Sequence, residues 1–424
     1  MKKVEWPDVE CAACKVNASW RRGNDAQARI IMFARKTRVF AITRLCVAGL
    51  MRSNQLVKLI MSRRLREKIG QLIIAGYDGF SVPAELWCIA RDFELGGVIL
   101  FARNIEEPLQ VAEQAYAAKQ FKQELPMWVS IDQEGGRVQR LRTPHTEWPP
   151  LATLGRCGDE QLAVKFAKAL ALELQITGIT LDFAPVLDIA TNSGNPVIGD
   201  RAIGKNAIDV ANLGQAIVSA IQHVGVAACG KHFPGHGETS SDSHLCLPVV
   251  ELEEARLREV EIKPFCAAIA ADVSALMTAH VSYPALDDRY PATLSSVIIG
   301  TLLRDELCFD GLIITDDMEM GAIVQNYDPV EASVQAVAAG CDVLLLCGAD
   351  HNLHASIIEG IIHAVEDGRL SEKRVEDALS RQRRMKEKFL SEDLLWRPPS
   401  ANALNEIIGC SDHQEIAETM RRYL

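Results

Sequence analysis

The residues best suited to chemistry lie close together between Lys231 and His244. Lys231 and His232 follow the apolar run 224–229, which predicts a buried strand whose end presents polar groups to a hydroxyl-rich ligand. Asp242 and His244 are two residues apart on a loop rich in glycine, serine and threonine. An extended backbone would place both side chains on one side, where the carboxylate could orient the imidazole. Because imidazole titrates near neutral pH, the spacing predicts an acid/base pair.

A metal site is the alternative interpretation of the same residues. His232, His236 and His244 lie in one short segment, as the ligands of a metallohydrolase do. A zinc site usually takes closely spaced ligands from one rigid element, whereas Phe-Pro-Gly between the first two histidines breaks any helix. We therefore favour the acid/base pair and expect neither a metal ion nor a cofactor.

The motifs of this chain resemble those of a known family. The sequence Lys-His-Phe-Pro-Gly-His-Gly at 231–237, followed by Asp-Ser-His at 242–244, resembles the signature of glycoside hydrolase family 3, in particular its β-N-acetylglucosaminidase branch. Further segments resemble other motifs of the family in the expected order, so that the resemblance covers about residues 65–390. These segments are 132–140, 199–204, 277–281, 291–295 and 314–320.

The resemblance implies a retaining glycosidase with specific catalytic residues. Asp316 would attack the anomeric carbon to form a glycosyl-enzyme, which water then opens. His244, oriented by Asp242, would serve first as the acid and then as the base, on a loop that swings over the sugar when substrate binds. Asp317 would point away from the pocket and have a structural role.

The resemblance also implies a set of sugar-binding side chains. Asp132 would accept hydrogen bonds from ring hydroxyls, and the cationic and imidazole groups would donate to other hydroxyls and to the acetamido carbonyl. Three further residues, Glu134, Arg137 and His236, are expected to brace the loops. The implied sugar-binding residues are Asp132, Arg140, Arg201, Lys231 and His232.

From residue 70 onward, short apolar runs alternate with longer amphipathic segments, which is typical of repeated βα units. Eight such runs favour a closed (β/α)8 TIM-like barrel over an open doubly wound sheet, for which the first βα turn lacks the glycine motif. Asp132, Lys231, His280 and Asp316 each follow a predicted strand, the position of reacting groups in such a barrel. The predicted strands are 71–75, 97–101, 127–131, 180–184, 226–229, 275–279, 311–315 and 342–346.

Composition divides the chain into three parts. Residues 1–64 hold fourteen Lys and Arg against four acidic residues, a net charge of +10, and we expect a poorly ordered basic extension or a start-site artefact, with Met51 or Met61 opening the functional protein. Residues 65–395 are expected to form the barrel. Residues 396–424 begin with a proline-containing linker and are expected to continue as one helix.

The overall composition limits the partners. The net charge of -11 argues against a dedicated nucleic-acid or membrane-surface protein, and no apolar run is long enough to span a membrane. Most of the twelve cysteines are scattered singly through apolar segments, which indicates a reducing compartment, and we expect a cytoplasmic monomer.

The expected activity is an exo-β-N-acetylglucosaminidase that removes terminal N-acetylglucosamine from 1,6-anhydromuropeptides of the cell wall. A β-glucosidase and a β-N-acetylglucosaminide phosphorylase are the nearest alternatives within the family. A metal-dependent hydrolase and a non-catalytic muropeptide sensor are alternatives from other classes.

Overall fold

The computed structural model describes residues 64–121, 123–391 and 396–424. Residues 64–424 form one compact unit, which opens with a helical segment at 64–70. The predicted basic extension, apart from its last residue, lies outside the described residues.

Eight parallel strands close into a barrel, which confirms the predicted fold class. Neighbouring strands in the barrel are also successive barrel strands in the chain, and the first strand, Ile73–Ala75, pairs with the last, Val343–Leu346, to close the barrel. Each of the eight predicted runs overlaps one of these strands, and six of the strands lie entirely within their runs. The barrel strands are β1 (Ile73–Ala75), β2 (Gly97–Leu100), β3 (Trp128–Ile131), β6 (Leu181–Asp182), β7 (Ala227–Phe233), β8 (Ala275–Thr278), β9 (Leu312–Asp317) and β10 (Val343–Leu346).

The strands are apolar on both faces because one face fills the barrel and the other meets the helices. Alternate residues such as Ile74, Ile99 and Trp128 form an interior cluster. Their neighbours in sequence, including Ile73 and Val98, belong to the larger cluster that also contains the helix side chains. This double burial explains why the strands appear in the sequence as continuous apolar runs.

Two strands extend further than the apolar runs predicted. β7 continues through Lys231 and His232 to Phe233, and β9 continues through Asp316 and Asp317. Pairing of β7 with β8 and of β9 with β10 shifts register in these extensions. The polar residues thus lie in irregular strand ends instead of in the loops that follow.

A two-stranded hairpin, β4 (Gln133–Gly135) and β5 (Val138–Gln139), rises directly from the end of β3. Gly135 and Gly136 have φ angles of +99° and +59° at its turn, a conformation that side chains rarely adopt. The hairpin holds Glu134 close to Asp132.

Helices surround the barrel in the expected alternation. The segment 253–271 is not one continuous α-helix, because Pro264 cannot donate a backbone hydrogen bond and the preceding segment Leu257–Glu261 is a π-helix. The principal helices are α1 (Ala84–Phe93), α2 (Pro108–Lys119), α3 (Ala152–Cys157), α4 (Glu160–Ile176), α5 (Ala207–Val224), α6 (Lys263–Ala270), α7 (Pro329–Ala339), α8 (His351–Glu366), α9 (Glu372–Leu390), α10 (Ala401–Ile407) and α11 (Ser411–Arg421).

Helix α9 closes the barrel at the amino ends of the strands. Gln382 accepts a hydrogen bond from the indole of Trp128, the first residue of β3, at 3.0 Å. Lys386, 1% exposed, donates to Gln71 Oε1 and to the Gly96 carbonyl, both at 2.8 Å. The candidate functional site lies at the opposite, carboxyl ends of the strands.

The C-terminal tail forms two helices, α10 and α11, so the expectation of one helix was wrong. Gly409, with a φ of +62°, separates them. Its N–H donates to Glu173 Oε1 at 3.0 Å, and His413 Nδ1 lies 2.8 Å from the same oxygen. Glu173 on α4 therefore holds the tail against the barrel.

Within the described part of the chain, no helix combines the length and apolar character needed to cross a membrane.

Candidate active site

An ion-pair cluster joins several of the predicted sugar-binding residues at the carboxyl ends of the strands. Lys231 Nζ donates to Asp132 Oδ1 at 2.8 Å and lies 2.7 Å from Glu134 Oε1. Arg140, just after the hairpin, donates to Asp132 Oδ2 at 3.0 Å. Elements far apart in sequence therefore place these four side chains in contact.

Arg201 enters the same cluster through Glu134. Its Nε and Nη2 donate to the two carboxylate oxygens of Glu134, each at 2.8 Å. Its Nη1 donates to the Val197 carbonyl at 3.2 Å. Since both side chains of this pair are almost fully buried, the pair fixes Glu134 beneath Lys231. Arg137, predicted to brace a loop, also donates to Val197.

The opposite charges in the cluster favour the ionised forms of Asp132, Glu134 and Lys231. Desolvation alone would raise the pKa of Asp132, but Lys231 and Arg140 hold it well below its ordinary value. Desolvation has the same effect on Glu134, where Arg201 and Lys231 outweigh it and lower the pKa to about 2. Burial would lower the pKa of Lys231, whereas Asp132 and Glu134 raise it. Two carboxylates and three cations thus offer both acceptors and donors to a polar ligand.

A further carboxyl group, Asp182, lies below this cluster at the end of β6. Its Oδ1 accepts a hydrogen bond from the Gln133 backbone at 2.9 Å, and its buried Oδ2 has no hydrogen-bond partner. Desolvation raises the pKa of Asp182 well above its ordinary value. The neutral acid is therefore favoured at this position.

His232 is held by Asp188, a residue that the sequence analysis missed. Asp188 Oδ2 lies 2.6 Å from His232 Nδ1, and Oδ1 accepts the backbone N–H groups of His232 and His236 at 3.1 and 2.6 Å. Asp188 follows an apolar segment, 183–187, whose Val186 pairs with β7. An acidic residue after an apolar run was the available signal, although Pro185 lies within that run.

Asp316 lies near the end of β9, close enough to Lys231 for the ammonium charge to act on the Asp316 carboxyl group. Its desolvated position alone would raise the pKa of its carboxyl group. The imidazoles of His232 and His280, the Asp317 backbone N–H and Lys231 outweigh that effect and hold the pKa below its ordinary value. Asp316 is thus kept as an anion, the form that a nucleophile requires.

Asp317 lies beside Asp316 in a different environment. Its Oδ1 accepts backbone N–H groups from Cys347, after β10, and from Glu319, at 3.0 and 3.1 Å. Desolvation, with the nearby Glu319 and Asp316 charges, raises the pKa of Asp317 to about 7. The side chain links the ends of β9 and β10.

Asp242 and His244 form a contact, as their spacing predicted, but not on an extended backbone. Asp242 Oδ1 accepts from the His244 backbone N–H at 2.8 Å and lies 2.7 Å from His244 Nδ1. The Asp242 carbonyl also accepts the backbone N–H of Leu245, which closes a turn. A tight turn, not alternation along a strand, brings the two side chains together.

The two members of this pair differ in exposure. Desolvation would raise the pKa of Asp242, but the two hydrogen bonds from His244 lower it. The His244 side chain is 62% exposed, with Nε2 on the ring edge opposite to the one that faces Asp242. A carboxylate therefore orients an accessible imidazole, the arrangement that proton transfer to and from a ligand requires.

Metal binding was the alternative interpretation of the histidines. Within the ranges 64–121, 123–391 and 396–424, no group of three or more His, Cys, Asp or Glu side chains has an arrangement that could hold a metal ion. His232 and His236 instead have protein hydrogen-bond partners.

Comparison with known proteins gives consistent matches. The model of the glycosyl hydrolase family 3 N-terminal domain matches residues 64–385. Beta-hexosaminidase A of Pseudoalteromonas piscicida is 33% identical over 364 residues, which are 79% of this chain and 60% of that protein. This chain thus spans less than two thirds of that relative's length.

Solved structures are similar over most of the chain. A glycoside hydrolase family 3 beta-N-acetylglucosaminidase from Paenibacillus sp. str. FPU-7 has a TM-score of 0.81 and 39% identity, covering 85% of this chain and 68% of that one. NagZ from Neisseria gonorrhoeae, solved with N-trifluoroacetyl-D-glucosamine, has a TM-score of 0.67 and 29% identity, covering 83% of this chain and 97% of that one.

Proposed function

The chain belongs to glycosyl hydrolase family 3, and we propose that it is a retaining exo-β-N-acetylglucosaminidase. What supports the proposal is the position of the Asp316 carboxyl group near the end of β9, where the charge of Lys231, the centre of the ion-pair cluster, contributes to lowering its pKa. The Asp242–His244 pair lies on the loop that follows β7. The names of the similar proteins, beta-hexosaminidase and beta-N-acetylglucosaminidase, support the choice of sugar.

In the first step, the Asp316 carboxylate attacks the anomeric carbon while His244 donates a proton to the departing oxygen. The products are a covalent glycosyl-enzyme and the free aglycone. In the second step, His244 accepts a proton from water, whose oxygen attacks the same carbon and releases Asp316. Two displacements at one carbon retain its configuration.

The roles of the other residues follow from their charges. Asp132 accepts hydrogen bonds from ring hydroxyls, while Lys231 and Arg140, which already share Asp132, donate to neighbouring oxygens. His232 presents Nε2 because Asp188 occupies Nδ1. Arg201 acts mainly by holding the Glu134 carboxylate in place. Its guanidinium N–H groups that bind neither Glu134 nor Val197 donate to the sugar.

The proposed substrate is a peptidoglycan fragment with a terminal N-acetylglucosamine, such as a 1,6-anhydromuropeptide, and the proposed location is the cytoplasm. All nine cysteines of the described residues are free thiols, which suits a reducing compartment. We further propose that the protein acts as a monomer.

A panel of substrates tests this function. Purified protein should release N-acetylglucosamine from an aryl β-N-acetylglucosaminide and from the disaccharide muropeptide, and should leave the aryl β-glucoside intact. Proton NMR of early product should show the β-anomer. Faster cleavage of the glucoside, or early α-anomer, would contradict the assignment.

Phosphorolysis is the second candidate, and the imidazole of His244 favours it. Unlike a carboxylate base, a neutral imidazole does not repel an incoming phosphate. The same reaction run in phosphate buffer distinguishes the two, since hydrolysis gives the free sugar and phosphorolysis gives the sugar 1-phosphate.

A further inference from the structure

The loop that carries the acid/base pair is bound to the barrel through the residue between its two members. Ser243 is 1% exposed, although His244 beside it is exposed. Its Oγ lies 2.9 Å from Nε2 of His236, which follows β7. The His236 ring thus reaches the centre of the Asp242–His244 turn.

His236 itself is rigidly held. Its Nδ1 lies 2.9 Å from Thr239 Oγ1, and its backbone N–H donates to Asp188. Asn195 donates to the carbonyl of His236 at 2.8 Å and to Thr239 Oγ1 at 3.1 Å. Both ring nitrogens therefore have hydroxyl partners, and the ring position is fixed from the side opposite to Ser243.

At neutral pH the uncharged form of the His236 ring is favoured. Burial, with the nearby His232, lowers the pKa of His236 to about 4. A neutral imidazole has one donor and one acceptor, so one hydroxyl donates to the ring while the other accepts from it. The attachment of the loop through His236 consequently does not change across neutral pH.

A second attachment comes from the turn after β9, the strand that carries Asp316. The Gly321 N–H donates to the His244 carbonyl, and the Ala322 N–H donates to the Ser243 carbonyl, each at 3.1 Å. A Cβ atom on Gly321 would lie 2.5 Å from the His244 carbonyl oxygen, well inside contact distance. Only glycine allows this approach of the two backbones.

We propose that His236 and Gly321 are positioning residues, which hold the Ser243–His244 peptide from both sides and so set the resting position from which the Asp242–His244 pair approaches the sugar. The inference rests on the proposed function, because it assigns these residues to the orientation of its acid/base group. The loop that carries Asp242 and His244 is thereby attached both to the segment that follows β7 and to the turn after β9.

The first test is Ser243→Ala, which removes the hydroxyl that His236 binds. The quantity to measure is kcat/KM, which reports the glycosylation step, for a chitobiose-type disaccharide and for a dinitrophenyl β-N-acetylglucosaminide. The disaccharide needs a proton donor and the dinitrophenolate does not. We expect an approximately 10- to 100-fold loss on the disaccharide with little change on the aryl substrate. Ser240→Ala, on the exposed part of the same loop, is the matched control.

Two substitutions at His236 test which hydrogen bond matters. His236→Gln places its side-chain amide near the former position of Nε2, so Ser243 keeps a hydrogen-bond partner. His236→Asn places its amide near the former position of Nδ1, so only Thr239 keeps one. The glutamine variant should retain more disaccharide activity than the asparagine variant. Equal losses on both substrates, no loss in Ser243→Ala, or the reverse order of the His236 variants would each overturn the inference.

Gly321→Ala tests the second attachment by a readout independent of turnover. Amide hydrogen exchange over residues 238–248 should accelerate in Gly321→Ala and in Ser243→Ala relative to the unmodified protein. Unchanged exchange in both would refute the positioning role. If the unmodified protein cleaves neither substrate, the proposed function fails, while the exchange measurement still decides whether the loop is held in this way.

Discussion

Lys231 donates to Asp132 at 2.8 Å although 99 residues separate them in the chain. The Lys231 side chain is 3% exposed and also contacts Glu134, so the ammonium group neutralises two carboxylates that have little access to water. Removing one partner from such a group leaves charge buried without compensation, which costs more than the pair itself contributes.

Lys231→Met should therefore lower the free energy of unfolding by roughly 3–5 kcal/mol and abolish activity on the aryl β-N-acetylglucosaminide. Denaturant unfolding followed by circular dichroism measures the first effect. Arg369→Met, which removes an exposed ion pair with Glu331, is the control and should change stability by less than about 1 kcal/mol. Similar stability losses in the two variants would contradict the role of Lys231.

Asp316→Ala should reduce turnover by about 10⁴-fold or more with no change in the circular dichroism spectrum, because it removes the proposed nucleophile. Its neighbour supplies the control. Asp317→Asn keeps an oxygen that accepts the backbone N–H groups of Cys347 and Glu319, and it should retain most of the activity. A reversed pattern would exchange the roles of the two aspartates.

Asp317 also gives a pH prediction. Its pKa is raised to about 7 in the folded protein from 3.8, so the folded state binds the proton more tightly than the unfolded state does. Its stabilising contribution is complete below about pH 3.8 and is lost as the pH rises through 7. Asp317→Asn should accordingly gain stability relative to the unmodified protein above pH 7. A difference between the two unfolding curves that is constant from pH 4 to 9 would argue against the raised pKa.

His244→Ala should lower kcat/KM for a disaccharide by about 10²- to 10⁴-fold and leave that for a dinitrophenyl glycoside nearly unchanged. Azide, a nucleophile that needs no base, should restore kcat on the activated substrate and yield a glycosyl azide. Asp242→Asn should show the same selectivity with a smaller loss, since the amide still meets His244. Equal losses on both substrates would remove His244 from proton transfer.

Lys386 offers a stability test remote from the site. Burial lowers the pKa of Lys386 well below 10.5, so the folded state binds the proton less tightly than the unfolded state, and stability is lost as the pH falls from 10.5. Lys386→Met should raise the unfolding temperature at pH 7, with an advantage that shrinks toward pH 10.5. Lys388→Met, at an exposed pair with Asp272, should show no such pH dependence. A Lys386→Met variant less stable than the unmodified protein at pH 7 would contradict this account.

The sequence by itself determined the barrel. Eight apolar runs separated by amphipathic segments admit few other architectures, because strands buried on both faces need helices on one side and a filled interior on the other. The motif residues Asp132, Lys231 and Asp316 were recognisable for a related reason, since reacting groups occupy the carboxyl ends of such strands. The spacing of Asp242 and His244 was enough to predict their contact, although the turn that makes it was not foreseen.

Only the tertiary structure decided how these groups are held. Asp188 binds His232, Glu134 joins Lys231 to Arg201, and Ser243 binds His236, and each contact depends on the approach of segments remote in sequence or on a loop whose course has no periodic signal. Periodicity specifies which face of a strand or helix is buried, but it carries no information about which polar group will meet which in an irregular segment. Hydrogen-bond partners are chosen there by packing, and packing exists only in the folded chain.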